Sequence, residues 1–186
     1  MFKTIALVVV CALVLSVVVV LGYAATKPDA FHIARSTTIK APPERIFPLI
    51  NDLRSNVSWS PFEKDPAMKR SFGETTVGKG ATYAWDGNSD VGAGSIEITE
   101  ATAPSKVAMR LDMVRPLEAH NDVEFTLDPG PDDTTKVTWA MHGEQPFLGK
   151  IMSVFIDCDE MVGSEFDKGL ASLKALVEGQ SAQLRQ

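Results

Sequence analysis

Cysteine is scarce in this 186-residue chain: Cys11 lies in an apolar run near the N-terminus and Cys158 is the one thiol beyond it. No intramolecular disulfide can staple residues 27–186. Asp157, Asp159 and Glu160 surround Cys158, an acidic setting that disfavours a thiolate nucleophile. There are only three histidines, and no spacing of His, Cys and carboxylates gathers a metal-ligand set. Basic runs are missing too. Beyond residue 26, 24 acidic side chains face 17 Lys and Arg, a balance unsuited to nucleic acid and repelled by anionic headgroups. No G-x-x-x-x-G-K phosphate loop occurs. The glycines at 87, 92 and 94 around Asn88-Ser89-Asp90 read instead as a hairpin turn. No cofactor and no metal are expected.

Charge is also absent between Lys3 and Lys27, where residues 5–21 are apolar except for Ser16. A membrane span takes about 20 apolar residues, whereas a signal-peptide core takes about 7–15. The length favours residues 1–26 as a transmembrane anchor, with 5–25 in the bilayer, over a cleaved signal. The small residues around Tyr23 keep the cleaved signal open as the alternative. Tyr23 suits the membrane interface. The short tail before the run resembles an uncleaved export signal and places the following domain on the extracytoplasmic side. Residues 27–30 read as a linker, 31–180 as one domain by length, and 181–186 as a tail.

Within that domain the period is first that of strands. Residues 31–40 form a β-branched strand ended by Ala41-Pro42-Pro43. Pro43 and Glu44 suit a helix start. Ile46, Phe47, Leu49, Ile50 and Leu53 give that helix its apolar face, and Pro48 keeps it short or kinked. Trp59-Ser60-Pro61-Phe62 is an aromatic turn. Strand-period runs follow at 80–85, 91–100, 107–113, 121–127 and 137–141, and the alternation from Met109 to Met113 is unbroken. Helical period then takes over through Cys158, Val162, Phe166, Leu170, Leu173 and Val177, with residues 147–156 as a possible first segment and Gly179 as its end. Gly163 and Gly169 cost a helix about 1 kcal/mol each, so something must approach it closely there. Strands in series with segregated helices mean α+β.

The blocks STTIKAPPERIFPLINDL at 36–53, WSPF at 59–62, GNSDVGAGSIEITE at 87–100, EAHNDVEFTLD at 118–128, TWAMHG at 138–143 and MVGSEFDKGLASLKAL at 161–176 resemble the SRPBCC or START-like helix-grip superfamily. They resemble bacterial membrane-anchored proteins of polyketide cyclase-like type, over about residues 31–178. The resemblance implies a curved antiparallel sheet of about six or seven strands wrapped around a long C-terminal helix, with two short helices after the first strand. It implies a cavity between sheet and helix for a lipid or polyketide-like aromatic. It further implies a single-pass protein of a bacterial inner membrane.

Trp85, Met109, Leu111, Met113, Phe125, Trp139, Met141, Met161 and Phe166 are the expected cavity lining, since Met and aromatics suit an adaptable apolar pocket. Core packing is the competing reading for each. His120 with Glu118 is the one candidate base and orienter, against a solvated histidine at a strand end. By parity Arg110 and His142 face away from the cavity, His32 reads as surface, and Arg115 is a candidate partner for a ligand carboxylate. Ligand binding is favoured over a cyclase or dehydratase activity in the same cavity. A protein-interaction module with a filled cavity is the third reading.

Overall fold

A computed structural model describes residues 2–183, with side chains from 3 to 179. An α-helix, α1 (Phe2–Ala25), leads through a short linker into β1 (Ala30–Ile39). Next come α2 (Pro43–Asn51), a 3-10 turn (Ser55–Ser58) and six strands: β2 (Lys69–Phe72), β3 (Thr82–Asp86), β4 (Ala93–Thr102), β5 (Lys106–Arg115), β6 (Ala119–Pro129) and β7 (Thr135–Glu144). Two helices close the chain, α3 (Phe147–Phe155) and α4 (Cys158–Gln183). Among the described residues the seven strands form one antiparallel sheet in the order β1-β7-β6-β5-β4-β3-β2. This is the helix-grip architecture, with the sheet curved and α4 seated against β1.

Local chemistry explains most of the boundaries. Pro43 opens α2 and Ile46, Phe47 and Ile50 bury its inner face, while Pro48 holds it to nine residues. β2 was not visible in the sequence because it is a four-residue edge strand carrying Lys69 and Arg70, the usual guard of an exposed edge. α3 is separate from α4. Ile156 turns to an extended conformation, and the Asp157 carboxylate then accepts the Glu160 N–H at 3.1 Å, capping the new helix. Gly179 does not end α4, which runs on to Gln183. It lacks the positive φ of a terminating glycine.

Strand register sorts side chains into an inner and an outer face. Ile33, Met141, Val123, Met109 and Ile98 lie side by side across five strands, none more than 8% exposed. Arg35, Trp139, Phe125 and Val107 make the next inner row. Phe166, Leu170, Leu173 and Val177 of α4 complete the core, all buried. They recur every three or four residues and so share one face of the helix.

Candidate functional site

The inner face is sealed at one end and open at the other. At the sealed end Trp139 stacks on Phe166 with ring centroids 4.2 Å apart and planes at 8°. Trp59 and Phe62 meet Trp139 edge-on at 5.7 and 6.2 Å. The Trp139 indole nitrogen is buried there without a hydrogen-bond partner. Toward the start of β1 the next inner row, Phe31, Asn121, Leu111 and Ile96, is only half-buried. Met113 and Trp85, one row further out across Gly94, are half-buried as well. A side chain at Gly94 would lie 2.9 Å from the Trp85 ring, so glycine lets that ring approach the sheet closely. The Trp85 N–H donates to the Val91 carbonyl at 3.1 Å.

An open groove of about 680 Å³ adjoins this end. Its walls include Tyr23 at the end of α1, Phe31 and Ile33 of β1, and Phe155, Ile156 and Cys158 where α3 meets α4. Phe31 and Ile33 belong to both the groove and the inner face.

One polar cluster interrupts the apolar surface. The Tyr83 hydroxyl donates to Glu63 at 2.7 Å, and Arg70 Nε donates to the other Glu63 oxygen at 2.8 Å. Tyr83 is also part of an aromatic ladder, 5.0 Å from Phe72 and 5.9 Å from Trp85. Burial, reinforced by the bond to Glu63, pushes the Tyr83 hydroxyl above its ordinary pKa, so it stays a donor. Asp65, also buried, accepts the backbone N–H groups of Ala67 and Asn88 at 2.8 and 2.9 Å. The cluster fixes the 62–70 loop against the sheet edge.

The sequence-predicted lining divides three ways. Met109, Phe125, Trp139, Met141 and Phe166 are packed in the buried core. Trp85, Leu111 and Met113 floor the open end. Met161 is 55% exposed and lines neither. His120 and Glu118 stand apart from all of these. His120 pairs across the strands with Asp112, and that register runs along the outer face. His120 Nδ1 is 2.7 Å from Asp112 and its Nε2 is 3.9 Å from Glu118. The Asp112 carboxylate raises the His120 pKa and is itself lowered by the same hydrogen bond. A base and orienter on the outer face cannot serve a ligand on the inner one. The parity that turns Val123 inward turns His120 outward, so this was legible in the sequence.

His32 and His142 also face outward, with rings 6.5 Å apart. Arg110 pairs with Glu97 on the outer face, and Arg115 is engaged by Asp86. Arg35 shares the inward parity of Ile33. It passes beneath α4 at Gly163 and pairs with Asp159 at 2.8 Å and Asp167 at 3.5 Å. Among the described residues no three His, Cys, Asp or Glu side chains gather as a metal site.

Solved structures share the fold at low identity. Protein CV1439 from Chromobacterium violaceum is 16% identical with a TM-score of 0.56, over 82% of this chain and 99% of that one. The Aha1 dimer from Colwellia psychrerythraea is 16% identical with a TM-score of 0.57, over 80% and 96%. CalU16 from Micromonospora echinospora is 15% identical with a TM-score of 0.56, over 81% and 76%. No curated protein sequence matches the chain significantly. The family model described as polyketide cyclase / dehydrase and lipid transport matches residues 30–178. The half-open apolar inner face thus sits on a chain that belongs to the polyketide cyclase / dehydrase and lipid transport family.

Proposed function

We propose that this chain is a membrane-anchored binder of a hydrophobic small molecule, a lipid or a polyketide-like aromatic. The ligand lies between the sheet and α4, entering at the open end of the inner face. The observation that carries this reading is the half-buried floor of Phe31, Ile96, Leu111, Met113 and Trp85 on the inner face, of which Phe31 also lines the groove beside α1. Apolar side chains left partly uncovered on an inward-facing surface gain from an apolar guest. Anchoring rests on α1, where Lys3–Ala25 is long and apolar enough to cross a bilayer and its most apolar stretch is unburied by the rest of the chain. A tether of this kind holds the site where apolar ligands concentrate.

The full chain, extracted in mild detergent, should carry a stoichiometric lipid or aromatic in native mass spectrometry, recoverable by organic extraction. Leu111→Trp fills the floor and should abolish that adduct while far-UV circular dichroism stays unchanged. An adduct that survives Leu111→Trp, or a wild-type chain that is empty and takes up no lipid from vesicles, would sink the reading. A cyclase or dehydratase acting on the inner face would draw on the Tyr83–Glu63 pair for proton transfer, because His120 lies on the outer face.

A further inference from the structure

α3 is built inside out. Its one charged residue, Lys150, is buried and paired with Asp29, while Phe147, Leu148, Met152 and Phe155 are exposed. Positions 148, 152 and 155 share a helix face, so the helix presents an apolar stripe outward and its charge inward. A helix facing water has the opposite pattern. Two further contacts fix where the stripe sits. α3 packs on the last turns of α1, where Ala24 is fully buried, and Lys27 Nζ donates to the Ser153 carbonyl. Val114 and Leu117, at the β5–β6 tip, are 67% and 54% exposed at the same end of the sheet. Elsewhere in residues 27–179 exposed large apolar side chains are scattered singly, as at Val57 and Val77.

We propose that the outer face of α3 and the β5–β6 tip lie in the bilayer interface beside α1, so that the groove opens to the lipid phase rather than to water. This rests on α1 being a membrane anchor. The occupant is a lipid surface because the patch is continuous with the anchor: the four residues after Ala25 already reach β1, which leaves α3 no room to stand clear of the headgroups. A contiguous exposed apolar patch marks an interaction site, and Tyr23 and Lys27 beside it are residues suited to the interface. The charges near the patch are mostly acidic, with Lys27 and Arg115 against Glu118, Glu144, Asp157, Asp159 and Glu160, so anionic lipid is not what draws it. The contact is therefore hydrophobic, fits zwitterionic lipid and is insensitive to salt.

The test uses the full chain with Cys11→Ser and Cys158→Ser. Single cysteines are placed by Phe155→Cys, Leu117→Cys, Val77→Cys and, within α1, Leu13→Cys. All four positions are exposed, so a label enters no packed core. Each variant is labelled with an environment-sensitive fluorophore and reconstituted into phosphatidylcholine vesicles containing lipid spin-labelled near the headgroup or deep in the chain. The labels at 155 and 117 should blue-shift and lose emission to the shallow quencher, the label at 13 should lose it to the deep one, and the label at 77 should lose none. Labels at 155 and 117 that behave like 77, with 13 still quenched, would overturn the proposal while leaving the anchor intact. An unquenched label at 13 would overturn both. Equal quenching at 77 would also reject the oriented contact.

Discussion

A methyl group added at Gly169 would lie 2.7 Å from the Trp139 ring and 2.8 Å from Pro61, both part of rigid packing. At Gly163 the same methyl would meet only the far end of Arg35, which can swing aside. Gly169→Ala should therefore lower stability by about 1–3 kcal/mol through overpacking. Gly163→Ala should sit near zero, because a gain of about 1 kcal/mol in helix propensity offsets the displaced guanidinium. Urea titration of the two variants in parallel checks this; equal losses would contradict it. His120 supplies a second residue-scale expectation. Its titration, followed by NMR at the ring Cε1–H, should fall above the ordinary value of about 6.5 and return towards it in Asp112→Asn. The pair stabilises the fold fully below the unfolded histidine value and loses that contribution as pH rises through the raised one. His120→Ala should leave ligand binding untouched.

At the scale of elements, α4 is held to the sheet by carboxylates as well as by its apolar face. Asp159 is lowered by its bond from Arg35, Glu165 by Lys64 and Lys168, and Glu178 by the Lys40 backbone N–H and Lys174. Depressed carboxylates stabilise in full above their unfolded values of about 4 and lose that contribution as pH falls through the folded ones. Acid should therefore loosen α4 before the sheet. The near-UV circular dichroism of the Trp139–Phe166 stack should fade below about pH 4 while the sheet signal in the far UV persists. Simultaneous loss of both signals would show that α4 is not the weak element. The sequence announced α4 through the spacing of Phe166, Leu170, Leu173 and Val177, and its glycines as points of close approach. It could not name what approached, because Arg35 and Trp139 come from strands more than 25 residues distant in sequence.

Across the whole molecule, alternation made β4 to β7 legible, and Val123, Phe125, Trp139 and Met141 told inner face from outer. Depth was not legible. Met109 and Met113 have the same parity and type, yet one is core and the other half-open, because α2 covers β5 only in part. Nor did the sequence show that α3 hides Lys150, a choice made by Asp29 far away in the chain. The sheet order has one more consequence. Among the described residues β1 sits at an edge and pairs with the last strand, Ala30 with Glu144 and Ile39 with Thr135. The first strand made is thus completed by the last. Such long-range pairing slows folding, and at roughly 5–20 residues per second of synthesis β1 waits on the order of ten seconds for β7. That wait leaves β1 with both strand edges unpaired, the interval in which a chaperone or a neighbouring nascent chain would find this protein most open to capture.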